Sequence, residues 1–222
     1  MRIGFAPYSA GVNAGPYASA STDGRSTDGC TYERQGFVKD GDQAPGTGDY
    51  LAVSTDVGSR RCPPNAEVIA LTADKQILKD TVDGYQADGT TAGHTGAAWA
   101  SYLVSPNWGH IFGTESVPVA YDDEETVKAV VLMTDGQNNT YAAAGGGGSQ
   151  SDQLFGDICS EMRGKQILVF TIGFGSVSTH SKDLLKDCAL VTDRYFHADD
   201  EQQLRDAFVA IAQQLTKLRL SK

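Results

Sequence analysis

The strongest hydrophobic signal in the chain is a run of four apolar residues, Val130–Met133, followed at once by Thr134, Asp135 and Gly136. A run this short with two β-branched residues is typical of a strand that is buried on both faces. Open α/β sheets bind their ligands outside the carboxyl ends of such strands, so the pattern predicts a binding role for Asp135. The alternative is that Asp135 and Gly136 only form the turn by which the chain leaves the sheet.

The same pattern of apolar and polar positions predicts the other elements. The further segments expected to form strands are 2–9, 67–71, 166–174 and 195–196. The segments expected to form helices lie between Thr72 and Gly89, at 97–103, at 154–162, around 184–188, and from Asp200 onward. Thr72 is the expected N-cap of the first helix, and Asp88 and Gly89 are its expected end. Because strands and helices alternate from residue 128 onward, we expect an α/β fold with a doubly wound, mostly parallel sheet flanked by helices.

Between about residues 20 and 64 no period holds, because Gly, Asp, Ser, Thr and Pro dominate and apolar residues are sparse. A stretch this long without regular structure is unusual inside a compact domain and indicates a loop-rich insertion at the surface. We therefore expect residues 1–222 to form a single domain that carries this segment, hereafter the insertion (residues 20–64).

The four cysteines, Cys30, Cys62, Cys159 and Cys188, match no zinc-binding spacing. Four cysteines allow three pairings, and pairing of neighbours would close two loops that could each contribute about 3–4 kcal/mol to stability. Four reduced cysteines in a cytosolic protein are the alternative. Disulfides are the favoured prediction, because Cys30 and Cys62 lie in polar sequence that offers them no core to join.

The chain has a net charge of −10 and a pI near 4.7, so nucleic acid and anionic membranes would be repelled as partners. No run of 18 apolar residues is present, and residues 1–5 lead directly into a predicted strand. From the sequence we therefore expect neither a membrane segment nor a signal peptide in this chain.

Two polar loops, Gly89–Gly96 and Thr134–Gly136, are expected where a ligand-binding crevice forms in such a sheet. Threonine hydroxyls and carboxylates are hard oxygen donors, which Mg²⁺ accepts while keeping several waters. His94 also lies in the first loop, where a structural hydrogen bond is favoured over contact with a ligand. Trp99 and Trp108 are expected in the core.

Four motifs make the chain resemble the von Willebrand factor A family, and more narrowly the A-type domain of TadG-like proteins of the bacterial tight-adherence pilus machinery. They are Gly-Thr-Thr-Ala-Gly-His-Thr-Gly-Ala-Ala-Trp at 89–99, Tyr-Leu-Val-Ser-Pro-Asn-Trp at 102–108, Val-Val-Leu-Met-Thr-Asp-Gly-Gln-Asn-Asn at 130–139 and Phe-Thr-Ile-Gly-Phe at 170–174. The likeness covers nearly the whole chain. It implies a metal-ion-dependent adhesion site in which Thr91 and Asp135 are metal ligands and an acidic group of the partner completes the shell. Thr95 competes with Thr91 for the threonine position.

The chain departs from the family pattern because it contains no Asp-x-Ser-x-Ser motif, which in the family follows the first, central strand. The resemblance therefore implies a von Willebrand factor A-like domain truncated at its amino terminus, without that strand and the first helix. Mg²⁺, or Mn²⁺ or Ca²⁺, is expected to bind weakly or not at all. Pilus-type relatives carry a membrane segment near the amino terminus, and this segment is also missing from the chain. The resemblance therefore implies that the parent protein is membrane-anchored.

We predict first a non-enzymatic adhesion or interaction module in the bacterial periplasm or at the cell surface, with a pilus or envelope protein as its partner. The second hypothesis is a metal-free scaffold that makes its contacts through the insertion held between Cys30 and Cys62. The third is a Mg²⁺-dependent hydrolase using Asp135. It is disfavoured, because such enzymes need further carboxylates or a general base and the sequence offers no second acidic residue at a strand end.

Overall fold

The computed structural model describes residues 1–36, 38–46, 48–58, 62–86, 89–142 and 147–220, with side chains up to residue 218. The strands are β1 (Ile3–Phe5), β2 (Val12–Asn13), β3 (Cys30–Thr31), β4 (Ile69–Thr72), β5 (Ala129–Thr134), β6 (Leu168–Phe174) and β7 (Tyr195–Ala198). The helices are α1 (Ala18–Ser21), α2 (Lys75–Asp83), α3 (Gly93–Val104), α4 (Gly109–Phe112), α5 (Gly148–Gly164), α6 (Thr179–Ala189) and α7 (Glu201–Leu220). Helix α2 ends at Asp83 with Gly84 as its C-cap, so the predicted end at Asp88 and Gly89 was wrong; Asp88 itself lies outside the described residues.

The sheet that organises the domain consists of β5, β6 and β7, paired in parallel in that order. Successive side chains of a strand point to opposite faces; both faces of β6 are buried, whereas one face of β5 is only partly buried. Val130 and Leu132 pack on one face against α3, α5 and α6, whereas Phe170 and Ile172 pack on the other against α7. This arrangement confirms the predicted α/β class, with a parallel sheet flanked by helices.

The amino-terminal strands differ from the predicted single sheet. β1 pairs antiparallel with β4, and among the described residues neither of them is hydrogen-bonded to β5. The described residues therefore form two antiparallel pairs of strands, β1 with β4 and β2 with β3, beside the three-stranded parallel sheet. Helix α3 packs against β1, β4 and β5, and so it bridges the β1–β4 pair and the parallel sheet.

The insertion (residues 20–64) is buried to a much greater extent than its composition predicts. Tyr32, Leu51 and Ala52 are 1–2% exposed, and the Arg34 side chain is fully buried. The Arg34 guanidinium lies 5.3 Å from the ring centroid of Tyr102 in α3 and forms an ion pair with Asp49 at 2.6 Å. The expectation of a surface loop was wrong for these residues. The segment has no hydrophobic period, but Arg34 is buried against an aromatic ring of α3 and its charge is paired with Asp49.

The cysteines form the two predicted disulfides, and they pair as neighbours: Cys30 with Cys62 and Cys159 with Cys188. Contrary to the prediction, Cys30 and Cys62 do join a core, since they pack with Tyr32, Ala52 and other buried residues of a small cluster. The second disulfide ties α5 to α6 beneath the parallel sheet. Disulfides persist in oxidising compartments, so the chain fits an extracytoplasmic location.

Among the described residues, no helix combines the length and the apolar character that crossing a membrane would require.

Candidate functional site

The two polar segments singled out from the sequence meet at the carboxyl end of β5, although the predicted loop Gly89–Gly96 is a loop only as far as Ala92, because α3 begins at Gly93. Thr91 is held there by its backbone: its N–H donates to Asn139 Oδ1 at 2.9 Å, and its carbonyl accepts from the N–H groups of Asn139 and Thr140. The next residue, Ala92, donates its N–H to the Ser9 carbonyl at 2.8 Å. These bonds fix the position of Thr91 from both sides, which leaves its hydroxyl free to face the β5 end.

Asp135 is exposed and follows directly on the last residue of β5. The Thr91 hydroxyl oxygen lies 3.8 Å from the point that a Cβ atom on Gly136 would occupy, so it stands beside the residue that follows Asp135. Gly136 donates its N–H to the Thr134 hydroxyl at 3.2 Å, which tightens the turn around Asp135. Thr91 and Asp135 therefore lie at the same end of the same strand, as the sequence predicts.

Thr95, the competing candidate, is in a different environment. Its side chain is buried in the first turns of α3, and its hydroxyl donates to the Ala92 carbonyl at 2.7 Å. With its proton committed to the helix backbone and no exposure, Thr95 is not available to a cation in this conformation. Of the two threonines, Thr91 is the one whose surroundings suit a ligand.

Asn138 connects the two loops, although the sequence pattern gave it no such role. Its side-chain oxygen accepts from the Gly93 N–H at 2.9 Å, and its amide nitrogen donates to Asp152 at 2.9 Å. The other Asp152 oxygen contacts His180 Nε2 at 2.6 Å, and this hydrogen bond raises the pKa of the exposed His180. A network thus runs from α6 through α5 to the start of α3. The sequence signal for this role was the pair Asn138 and Asn139, which follows Thr-Asp-Gly after one intervening residue.

His94 has the structural role favoured by the sequence analysis. It is 1% exposed; its Nε2 lies 2.9 Å from Glu33 Oε1 and its Nδ1 lies 2.6 Å from Ser151 Oγ. The ring stacks on Tyr141 with centroids 5.2 Å apart. A serine, a histidine and a carboxylate in line resemble a hydrolytic triad. Here, however, Ser151 is completely buried, so no substrate can reach it, and the group instead fastens the insertion to α3 and α5.

Tyr8 is a further residue at this end of the sheet that sequence patterns did not single out. Its hydroxyl donates to the Met133 carbonyl of β5 at 2.8 Å. Burial raises the pKa of Tyr8 to about 12, and the nearby Asp135 carboxylate adds to that effect. Tyr8 therefore remains a neutral hydrogen-bond donor beside the two candidate ligands.

The oxygen atoms available at this site determine which cations it could bind. Thr91, Thr134 and Asp135 offer two hydroxyls and one carboxylate, all of them hard oxygens that suit Mg²⁺, Mn²⁺ or Ca²⁺. One carboxylate supplies little charge, and within the described part of the chain no group of three or more His, Cys, Asp or Glu residues could hold a metal. A small cavity of about 20 Å³ lies next to this edge, but its lining includes Thr134 and neither Thr91 nor Asp135, so it is not the position of the cation. The residues present therefore fit part of a cation shell.

Comparison with known proteins gives little further information. No family model matches the chain, and no curated protein matches it. Proximal thread matrix protein 1 from the mussel byssus is similar in structure, with 19% identity over 72% of this chain and a TM-score of 0.42. A second crystal form of that protein gives 18% identity over 68% and a TM-score of 0.39. This chain spans 32% and 29% of the length of those two structures, and at these TM-scores the similarity carries no argument.

Proposed function

We propose that the chain is a von Willebrand factor A-type domain of a TadG-like bacterial pilus protein and acts as a non-enzymatic adhesion or protein-interaction module. The sequence motifs around Thr91 and Asp135 suggest the family, and the parallel sheet flanked by helices is compatible with it. The observation that carries the proposal is the position of the Thr91 hydroxyl, 3.8 Å from a Cβ built on Gly136. Because of this position, Thr91 and Asp135, the two residues that the resemblance implies as metal ligands, lie at one end of β5.

In this proposal Thr91 and Asp135 are the remnant of a metal-ion-dependent adhesion site. The hydroxyl and the carboxylate would hold Mg²⁺, Mn²⁺ or Ca²⁺ from one side, and an acidic side chain of the partner would complete the shell. Such a cation polarises and orients the group it binds; this chain's own residues only position it. Asn138 and Asn139 hold the Thr91 loop through the hydrogen bonds described above, and so act as positioning residues.

The partner would be a protein of the pilus or the cell envelope, and the location the bacterial periplasm or cell surface. Two disulfides support an extracytoplasmic site of this kind. A strongly acidic chain, at net charge −10, disfavours nucleic acid as the partner.

Isothermal titration calorimetry with MnCl₂ tests the cation site. The proposal predicts a weak heat of binding for the unaltered protein at high MnCl₂ concentration, its loss in Asp135→Asn, and a smaller heat in Thr91→Val. Asp157→Asn, which removes an exposed carboxylate of α5, is the matched control and should titrate like the unaltered protein. Equal heats for Asp135→Asn and the unaltered protein would remove Asp135 from the site.

A metal-free scaffold that makes contacts through the insertion is the second candidate. One observation favours it: the insertion is a folded structure, closed by the Cys30–Cys62 disulfide and fastened to the domain by buried Glu33 and Arg34. A rigid, packed segment of this kind can present a surface without any ion. It predicts no cation-dependent heat for any variant, so the same titration separates the two functions.

A further inference from the structure

Asn138 is held between the starts of two helices. Its side-chain oxygen accepts the Gly93 N–H of α3, and a Cβ atom on Gly93 would lie 2.5 Å from that oxygen. On the other side, a Cβ atom on Gly148, the first residue of α5, would clash with the Asn138 carbonyl oxygen. Both helix starts therefore need glycine where they contact Asn138. In this tight fit the Asn138 side chain cannot shift far without moving α3 or α5.

Asp152 of α5 fixes which way the Asn138 amide points. The two ends of an amide differ, since the oxygen accepts hydrogen bonds and the nitrogen donates them. With its oxygen on the Gly93 N–H, the amide donates from its nitrogen to Asp152 at 2.9 Å. An ionised carboxylate only accepts, so a rotated amide would place its oxygen against the carboxylate and its NH₂ group against an N–H. Asp152 therefore keeps the Asn138 oxygen directed at Gly93.

The same segment of chain holds Thr91. Asn139 follows Asn138, and its side-chain oxygen accepts the Thr91 N–H at 2.9 Å. The Asn139 N–H donates to the Thr91 carbonyl, also at 2.9 Å. Thr91 lies two residues before Gly93, so residues 138 and 139 hold the end of the loop and the start of α3 together. A change that loosens Asn138 is expected to loosen Thr91 as well.

His180 of α6 is the charged partner of Asp152. Its Nε2 lies 2.6 Å from Asp152 Oδ2, and the two side chains are 68% and 17% exposed. His180 is the second residue of α6, where the helix dipole disfavours a cation. The hydrogen bond to Asp152, the charge of Asp152 and the charge of Asp183 nonetheless raise the pKa of His180. An exposed imidazole exchanges its proton readily with solvent, so this contact changes its charge state near neutral pH.

Helices α5 and α6 are joined at two places that differ in kind. In their carboxyl-terminal halves the Cys159–Cys188 disulfide joins them covalently. Near their amino-terminal ends the link is the contact of His180 with Asp152, which can form and break. Because the disulfide keeps the helices side by side, a proton lost from His180 acts mainly at the end where Asn138 lies.

We propose that His180 and Asp152, hereafter the latch, form a proton-operated control on the Thr91 loop. With His180 protonated, the ion pair fixes Asp152, Asn138 and the loop at the end of β5. With His180 neutral, the contact loses its charge and the loop is held less firmly. The latch would regulate the proposed cation site, so its role rests on the proposed function, whereas its mechanics rest on the hydrogen bonds alone.

The direction of the effect follows from the sign of the shift. A group whose folded-state pKa is raised stabilises the folded state below its unfolded value, here 6.5. That contribution is lost as the pH rises through the folded-state pKa of His180. The Thr91 loop should therefore be held most firmly in mildly acidic solution and less firmly in mildly alkaline solution.

His94 is the other titratable group close to Gly93. It is the next residue in α3, and its Nε2 lies 2.9 Å from the buried Glu33 carboxylate. His180 pairs with Asp152 instead, so the two histidines have different carboxylate partners. A substitution of His180 alone therefore separates the latch from the buried pair.

Amide hydrogen exchange by NMR, from about pH 5.5 to about pH 8.5, tests the proposal after correction for the intrinsic effect of pH on exchange. Protection of the Gly93 and Thr91 amides should fall by about two- to fivefold as His180 titrates, the range expected for an exposed ion pair. His180→Gln should remove this step, whereas His110→Gln, which alters an exposed histidine of α4, should keep it. Constant protection in the unaltered protein overturns the proposal. So does an unchanged step in His180→Gln, because His94 would then be the cause.

A second pair of variants tests the carboxylate. Asp152→Asn keeps an oxygen that can accept from Asn138 but removes the charge, so the step at Gly93 should disappear. Asp157→Asn, which alters an exposed carboxylate of the same helix, should retain the step. A step of equal size in Asp152→Asn and Asp157→Asn would overturn the proposal.

Signal broadening by MnCl₂ at Thr91 and Gly136, measured at constant pH, reports the cation site separately. A pH step at Gly93 without this broadening supports the latch and contradicts the proposed function. Broadening without the pH step overturns the latch and leaves the proposed function in place.

Discussion

Buried charges fasten the insertion (residues 20–64) to the domain. The Asp42 carboxylate accepts hydrogen bonds from Ser105 and Tyr121, and it forms an ion pair with Lys165 at 2.5 Å. Although burial alone would raise it, the pKa of Asp42 is lowered by these partners. Glu33 behaves in the same way: burial alone would raise its pKa, but the interactions with His94 and the backbone hydrogen bonds together lower it. Both residues belong to a segment without hydrophobic period, so no sequence pattern could have marked them as buried.

Glu33→Gln tests this electrostatic fastening. At neutral pH the variant should lose about 1–3 kcal/mol of unfolding free energy, because a buried charged acceptor is weakened. A lowered folded-state pKa gives stability that is present above the unfolded value of 4.5 and is lost as the pH falls through the folded value. The difference between the two proteins in urea denaturation should therefore shrink at about pH 3. An undiminished difference there would contradict the account; Glu125→Gln, which is exposed, is the control.

At the candidate site, the position of a residue could be predicted from the sequence only where the residue belongs to a recognisable motif. Thr91 and Asp135 follow from a loop and a strand end that the sequence marks clearly, and the structure places them at one end of β5. Tyr8 and Asp152 reach the same region from distant parts of the chain through a hydroxyl and a carboxylate. Contacts of that kind depend on the tertiary arrangement, which has no local signal in the sequence.

At the scale of single elements, α2 shows why helix boundaries are harder to predict than helices. The sequence predicts Thr72 as the N-cap, but in the structure the N-cap is Asp74, whose carboxylate accepts from the N–H groups of Gln76 and Ile77. Thr72 is instead the last residue of β4, and its hydroxyl accepts from the Asp74 N–H. Thr72 and Asp74 both have side chains that can cap a helix, so the sequence pattern alone does not distinguish them as the N-cap. Pairing of Thr72 with Ile3 in the sheet decides between them.

Asp74→Ala should lower the stability of α2 by about 1 kcal/mol, since it removes the acceptor for two helix N–H groups. Leu78 is the one residue of this helix that is buried, so tertiary packing compensates little for the loss. Hydrogen exchange should accelerate at the amides of α2 and remain unchanged in β5 and β6. Asp83→Ala, at the other end of α2, is the control and should not accelerate exchange. Unchanged exchange in Asp74→Ala would show that Asp74 does not cap the helix.

Strand elements were predicted with mixed success, for a physical reason. The apolar runs of β5 and β6 pack against helices on both sides of the sheet, although Met133 of β5 is exposed, and such runs are distinctive in sequence. The amino-terminal strands are short and partly exposed, and their pattern does not specify which edge they pair with. Their antiparallel pairing apart from β5 could be learned only from the structure.

At the scale of the whole molecule, the two disulfides stabilise different parts of the domain. Cys30–Cys62 closes the insertion, while Cys159–Cys188 joins α5 to α6. They span 32 and 29 residues, for which the chain-entropy relation gives about 3–4 kcal/mol each. The sequence indicated that the cysteines were paired, and the choice among three pairings required the structure.

The double variant Cys159→Ala/Cys188→Ala should lose about 3–4 kcal/mol of unfolding free energy in urea denaturation. Cys30→Ala/Cys62→Ala should show a similar loss together with faster hydrogen exchange confined to the insertion. A loss below about 1 kcal/mol in both would contradict the stabilising role. Four free thiols in protein isolated from its own compartment would contradict both disulfides and the extracytoplasmic location.

The central claim is that Thr91 and Asp135 converge on one cation position at the end of β5, and Mn²⁺-induced relaxation in NMR tests it most directly. Mn²⁺ broadens the signals of nearby amides even when it binds weakly. We expect selective broadening at Thr91 and Gly136 that disappears in Asp135→Asn and persists in Asp157→Asn. Broadening centred elsewhere on the acidic surface, or the same broadening at Thr91 and Gly136 in Asp135→Asn, would contradict the account.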